Sequence, residues 1–150
     1  MEIEGKRVLI TGASRGLGRA LVTAFVEAGA SEVIAGARKP EDREALKAPR
    51  VTPVQLDVTV ADDIEELVHL GPIDILVNNA GVAGFGNPLT MDFAAVQEEM
   101  AVNYLGVLRV TRAVAPAVRS GFQKARTELE LPVTCTPKVG LPYSASLGGA

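Results

Sequence analysis

Thr11-Gly12-Ala13-Ser14-Arg15-Gly16-Leu17-Gly18 decides how this chain of 150 residues is read. Before it stands Lys6-Arg7-Val8-Leu9-Ile10-Thr11, a short apolar run of the kind a buried parallel strand requires. After it, Leu17, Ala20, Leu21, Ala24, Phe25 and Ala28 recur at helical spacing between Gly16 and Gly29. The glycines therefore lie in a strand, turn, helix unit. Glycine lets a backbone turn tightly and come close to a phosphate, and the start of a helix offers free N–H groups and the positive end of its dipole. In that context Gly12, Ser14, Arg15, Gly16, Leu17 and Gly18 are candidate ligands of a dinucleotide pyrophosphate, a sharper signal than glycine spacing alone.

The pattern repeats outward from this turn. Glu32 to Gly36 reads as a second strand, Glu41 to Lys47 as a short helix and Val51 to Val58 as a third strand. Asp62 to Leu70 follows as a helix with Ile64, Leu67 and Val68 on one stripe, and Ile73 to Val77 as a fourth strand stopping at Asn78-Asn79. A long helix is expected from Met91 to Arg119, with Val96, Met100, Asn103, Val107, Val110, Val114 and Val118 near one face and Pro116 kinking or ending it. Strands alternating with helices give βαβ units and a parallel sheet covered on both faces. The expected fold is α/β, a Rossmann-type doubly wound parallel sheet that is incomplete at its C-terminal end. Residues 1–120 form its dinucleotide-binding core and 121–150 a divergent tail. In that tail Pro132, Pro137, Gly140, Pro142, Gly148 and Gly149 are dense chain breakers, and Leu129, Leu131, Val133 and Cys135 alternate with polar residues or proline. Such alternation suits a half-exposed strand rather than an interior strand of a parallel sheet.

Composition narrows the function classes. With 47% hydrophobic and 22% charged residues the chain is ordinary globular material, large enough for one domain. A net charge of −3, with 15 basic residues interspersed among 18 acidic ones, offers no footprint for nucleic acid. No apolar run approaches the roughly 18 residues of a membrane span. The single cysteine closes no internal disulfide, and the acidic start Met1-Glu2-Ile3-Glu4 lacks the basic opening of a signal peptide. A cytoplasmic protein with no nucleic-acid or membrane partner is expected.

Two motifs in register carry a family resemblance. Thr11 to Gly18 resembles the TGxxxGxG motif of the short-chain dehydrogenase/reductase family, and Asn78-Asn79-Ala80-Gly81 resembles its NNAG motif. Asp57-Val58 and Asn103, within Val102-Asn103-Tyr104-Leu105-Gly106, fall where that family has matching residues, so the likeness covers about residues 5–120. It implies binding of a nicotinamide dinucleotide and hydride transfer between the nicotinamide and a small alcohol or carbonyl substrate. By the same resemblance Asp57 meets the adenine and Val58 its ring face. Asn79, Ala80 and Gly81 lie by the ribose and the central strand, and Asn103 serves a proton relay through water.

The choice of cofactor has its own physical argument. NAD enzymes place an acid about 20 residues beyond the glycine turn to bind the ribose 2′-OH, whereas NADP enzymes place arginine near the 2′-phosphate. Here the second strand leads through Ala35-Gly36-Ala37 into Arg38-Lys39, with no acid at its end. Arg38 offers a planar fork to phosphate, Lys39 adds charge, and Arg15 can face the same group. NADP is expected over NAD.

The catalytic end departs from the family pattern. There a tyrosine and a lysine four residues later share one helical face, so that the ammonium lowers the phenol pKa, while a serine upstream orients the substrate. Tyr143-Ser144-Ala145-Ser146 resembles the start of that motif, but Leu147 stands where the lysine belongs. Counting back a dozen or so residues reaches Glu130 and Leu131, not serine. If the working tyrosine lies beyond Ala150, Thr136 is a possible hydroxyl partner. A catalytically silent NADP-binding or interaction module, or a chain whose 121–139 stretch comes from an altered frame, are the competing readings. The apolar stripe of the long helix and the cut edge of the sheet also point to a homo-oligomer. His69 reads as a surface histidine and Cys135 as inert; no metal site is expected.

Overall fold

The computed structural model describes residues 2–83 and 90–115, so Tyr143, Leu147, Thr136, Cys135 and the whole expected tail lie outside the described residues. Four strands, β1 (Arg7–Ile10), β2 (Glu32–Ala37), β3 (Val51–Gln55) and β4 (Ile75–Val77), form one sheet in the order β3-β2-β1-β4. Every pairing is parallel: Val8 is opposite Val33 on one side and Ile75 on the other. Between the strands run α1 (Gly16–Glu27), α2 (Pro40–Leu46) and α3 (Ala61–Glu66), the last tightening into a 3₁₀ turn at Leu67–Leu70. A long helix closes the described part. It begins as α4 (Phe93–Met100), widens into π-helical turns over Ala101–Gly106 and continues helically through 107–115.

Alternate residues of β1 and β2 feed two cores. Leu9 and Ile34 point to one face, where Ile64, Leu67, Val102, Val110 and Val114 cover them. Val8, Ile10, Val33 and Ala35 point to the other, under Val22 and Leu46. Coverage on both faces explains why β1 reads as a continuous apolar run instead of an alternating one. Proline is tolerated in β3 at Pro53 because β3 pairs only with β2 among the described residues, and an edge strand can spare an N–H.

Several boundaries and faces differ from the sequence reading. The third strand stops at Gln55, not Val58, because the Asp57 carboxylate accepts from Thr59 N (2.9 Å) and Thr59 Oγ1 (2.6 Å) and turns the chain. The fourth begins at Ile75, since Asp74 is taken up by both backbone groups of Arg7. On α1 the buried face is Gly18 and Val22, flanked by Leu21, Phe25 and Val26; Leu17 is 69% exposed and Ala20, Ala24 and Ala28 face outward. Gly18 sets that face. A Cβ there would stand 2.2 Å from the Gly12 carbonyl oxygen, so the helix comes nearest the turn at a residue with no hydrophobic signature. Val68 is likewise exposed. On the long helix Val102 and Gly106 are buried in place of Asn103 and Val107, and Met100 is 52% exposed, because the wider π turns shift the stripe by one residue.

Candidate nucleotide site

The chain passes from β1 through β2 to β3 in one direction and then returns to set β4 on the other side of β1. Such a reversal opens a crevice beyond the carboxyl ends of β1 and β4, the place where open parallel sheets bind ligands. The turns that leave these strands are the glycine turn after β1 and Asn78 to Gly81 after β4. They are bonded to one another. The buried Thr11 hydroxyl accepts from the backbone N–H of Asn79 (3.0 Å) and Ala80 (2.9 Å), and the Asn79 amide donates to the carbonyls of Thr11 and Gly12, both at 3.0 Å. Gly12 adopts φ +64°, and a Cβ on it would stand 2.8 Å from Ala80 Cα, so glycine is required both by conformation and by the closeness of the two turns.

A cavity of about 520 Å³ opens over this junction. That is within the usual range of roughly 300–1,000 Å³ for small-molecule sites. The glycine turn supplies Gly12, Ser14, Arg15, Gly16, Leu17 and Gly18; the end of β2 supplies Arg38; the turn after β3 supplies Asp57 and Val58; and the turn after β4 supplies Asn79, Ala80 and Gly81. The structure thus brings together all twelve residues expected to bind the cofactor. Asp42, from the first turn of α2, and Val82 and Val102 also line it. Sequence reading missed these three, and Ala37 and Leu56 of the same lining, because Asp42 comes from a different helix than the one that makes the glycine turn and the others are ordinary apolar residues.

The chemistry of the cavity suits an anion. Arg15 is the N-cap of α1 but gives no side-chain hydrogen bond, and the first turn holds no acid, so the opening N–H groups of this helix keep their capacity for a negative ligand. Nothing lies within 4 Å of where a Cβ of Gly16 would stand, which leaves that backbone open to the cavity. Arg15, Arg38 and Lys39 bring positive charge; Asp42 and Asp57 bring negative charge, with an Arg38 Nη1 to Asp57 Oδ2 separation of 3.9 Å. Glycine openness, uncapped N–H groups and the three cations Arg15, Arg38 and Lys39 fit a phosphorylated dinucleotide.

Asn103 borders this assembly from the π-helical stretch. Its amide nitrogen donates to Val82 O (2.7 Å) and its amide oxygen accepts from Val82 N (2.9 Å), so it bridges both backbone groups of one residue just past the Asn78 to Gly81 turn. Gly106 lets the same helix rest on Val58: a Cβ there would be 2.6 Å from Val58 Cγ2. His69 is exposed, and among the described residues no group of three or more His, Cys, Asp or Glu could hold a metal ion.

The short chain dehydrogenase family model matches residues 6–125. The chain belongs to the short-chain dehydrogenase family. A short chain dehydrogenase of Monascus ruber is 39% identical over 141 residues, covering 83% of this chain and 46% of that protein. The D-erythrulose reductase of Gallus gallus is 39% identical over 118 residues, covering 77% and 48%. Among solved structures, a short chain dehydrogenase of Burkholderia cenocepacia in complex with NADP superposes with a TM-score of 0.75 at 41% identity, over 80% of this chain and 51% of that one. The chain spans about half the length of the relatives it matches. The sheet is therefore the Rossmann-type sheet of short-chain dehydrogenases, and the crevice between β1 and β4 is the part of that fold described here. No helix among the described residues is long and apolar enough to cross a membrane.

Proposed function

We propose that this short-chain dehydrogenase is an oxidoreductase that takes NADP(H) in preference to NAD(H) and interconverts a small alcohol and its carbonyl partner. When bound, the nicotinamide supplies or accepts the hydride. The observation that carries the choice of cofactor is the trio Arg15, Arg38 and Lys39 at one cavity with no acid at the end of β2. The NADP held by the Burkholderia relative supports it. In this reading Gly12, Ser14, Gly16, Leu17 and Gly18 hold the pyrophosphate region, and Arg15, Arg38 and Lys39 the 2′-phosphate. Asp57 and Val58 take the adenine, and Asn79, Ala80 and Gly81 the ribose region. Asn103 spends one donor and one acceptor on Val82 and retains one of each, enough to pass a proton through water while positioning that turn. Tyr143 is the candidate acid–base group. Residues 1–120 act as the dinucleotide-binding core with 121–150 as its tail, and the chain works as a homo-oligomer in the cytoplasm, a reducing compartment that suits its one cysteine.

Calorimetric titration tests the cofactor. Bidentate phosphate contacts supply roughly 1–3 kcal/mol, so NADPH is expected to bind about tenfold or more tightly than NADH. Arg38→Asp should reverse the order, and equal affinities for the wild type sink the NADP reading.

A second reading is favoured by one residue. Leu147 stands where the family's lysine belongs, so the ammonium that in that family makes the tyrosine a useful proton donor at neutral pH is missing from the sequence beside Tyr143. A cofactor-binding but catalytically silent chain predicts NADPH binding with no NADPH consumption against a panel of ketones.

A further inference from the structure

Polar contacts that start from Arg38 form a closed circuit. The Arg38 guanidinium faces the Asp57 carboxylate at 3.9 Å. The backbone N–H of Asp57 donates to Asp63 Oδ2 at 2.6 Å, and the side-chain nitrogen of Gln55 donates to the same oxygen at 3.1 Å. The side-chain oxygen of Gln55 accepts from Arg43 Nη1, which also donates to the backbone carbonyl of Arg38 at 3.4 Å. The circuit returns to its starting residue, having joined the exit of β2, the helix α2, the last residue of β3, the turn after it and the helix α3. Arg38 and Asp57 line the nucleotide cavity, whereas Arg43, Gln55 and Asp63 do not.

The circuit grips Arg38 at both ends. Its guanidinium side chain is 56% exposed, and an arginine so placed ordinarily samples many rotamers, all but one of which must be given up when a phosphate binds. Asp57 draws the guanidinium toward the cavity and Arg43 fixes the backbone from which the side chain departs, so part of that ordering precedes the ligand. Charge is balanced around the ring, two guanidinium groups against two carboxylates. Its effect is thus on where Arg38 stands more than on the field at the site.

We propose that Arg43 and Gln55 are positioning residues for cofactor specificity: through Arg38 they favour a dinucleotide bearing a 2′-phosphate over one with a free 2′-hydroxyl, without touching either. The proposal rests on the NADP reading above. A ligand that lacks the phosphate makes no call on Arg38, so loosening the circuit should cost NADPH and spare NADH.

The test is titration of the full chain and of Gln55→Leu and Arg43→Met with NADPH and with NADH. Gln55 is exposed and uncharged, so Gln55→Leu breaks two links with no change in charge. Both variants are expected to bind NADPH about three- to tenfold more weakly, the scale set by releasing one ordered side chain, with NADH within about twofold of wild type. The readout is the NADPH to NADH preference ratio, which partial unfolding does not move because it lowers both affinities together. An unchanged ratio in Gln55→Leu overturns the proposal, including the case where Arg43→Met alone weakens NADPH, since Arg43 would then act by charge through space. A wild type without preference overturns the NADP reading and this inference with it; a wild type that prefers NADPH, with variants that keep its ratio, overturns this inference alone.

Discussion

Thr11 is the buried polar residue among the described ones, 1% exposed at the carboxyl end of β1, and its hydroxyl accepts two backbone N–H groups from the turn after β4. Thr11→Val keeps the shape and leaves both N–H groups without an acceptor, so a loss of about 2–6 kcal/mol is expected, at roughly 1–3 kcal/mol for each orphaned donor. Thermal melting checks it; a variant that melts with the wild type means that water replaces the hydroxyl. Asp42 acts in the opposite sense on binding. It puts a carboxylate on the same cavity wall as Arg38 and Lys39, so Asp42→Asn should tighten NADPH by about two- to fivefold, by removing a repulsion of the order given by two charges across partly aqueous space. Unchanged NADPH affinity would show that Asp42 points its charge into solvent. At this scale the sequence was most legible where chemistry and backbone conformation coincide: the glycines, Asn79 and Arg38 announce themselves. Thr11 was read as the last residue of a strand, because a hydroxyl's partners across 68 residues of chain leave no local trace.

The elements were legible in kind and order, less so in which face they bury. For α1 the tightest contact, against the glycine turn, falls on Gly18, which carries no hydrophobic signal, and for the long helix, against Val58, on Gly106, at the end of a π stretch that periodicity at 3.6 residues does not anticipate. Gly106→Ala should therefore push the helix off Val58, at about 1–3 kcal/mol for overpacking, and weaken dinucleotide binding because Val58 lines the cavity. A denaturant melt and a titration on one preparation separate the two effects. At the opposite end of the sheet, Glu32 of β2 accepts from Thr52 Oγ1 of β3 (2.6 Å) and Arg7 Nε of β1 (2.7 Å). The Thr52 hydrogen bond, foremost, and then the Arg7 hydrogen bond and charge outweigh burial and hold this carboxyl below its ordinary 4.5. The lowered value means that its contribution to stability is complete above about pH 4.5 and is lost as pH falls through the folded-state value. Glu32→Gln should flatten the acid limb of the stability curve below that pH; an acid limb identical to wild type would assign it to other carboxylates.

For the whole molecule, the alternation of elements dictated one parallel sheet, and the reversal after β3 decided where its site had to be. The helix that covers the β4 side leaves Phe93 (71%), Met100 (52%), Tyr104 (56%) and Leu108 (44%) exposed. An apolar row of that extent on a soluble surface favours association. Light scattering at micromolar concentration is expected to report a dimer or larger species, and Tyr104→Glu to shift it toward monomer; a monomeric wild type with a cooperative melt removes the expectation. In the proposed reading turnover depends on Tyr143 and on Leu147 in place of lysine. If Leu147 silences the chain, NADPH consumption will fall far below the roughly 10 turnovers per second of an ordinary enzyme, and Leu147→Lys is the variant that should restore part of it.

The π-helical stretch at Ala101–Gly106 makes chain length itself a variable. A π turn closes a bond over one residue more than an α turn, so a gene that lost the single codon for Asn103 could close the helix as α and keep Val110 and Val114 in the core. What such a chain would forfeit is the clasp on Val82. Such a chain would have shed the wedge that ties the long helix to the nucleotide crevice.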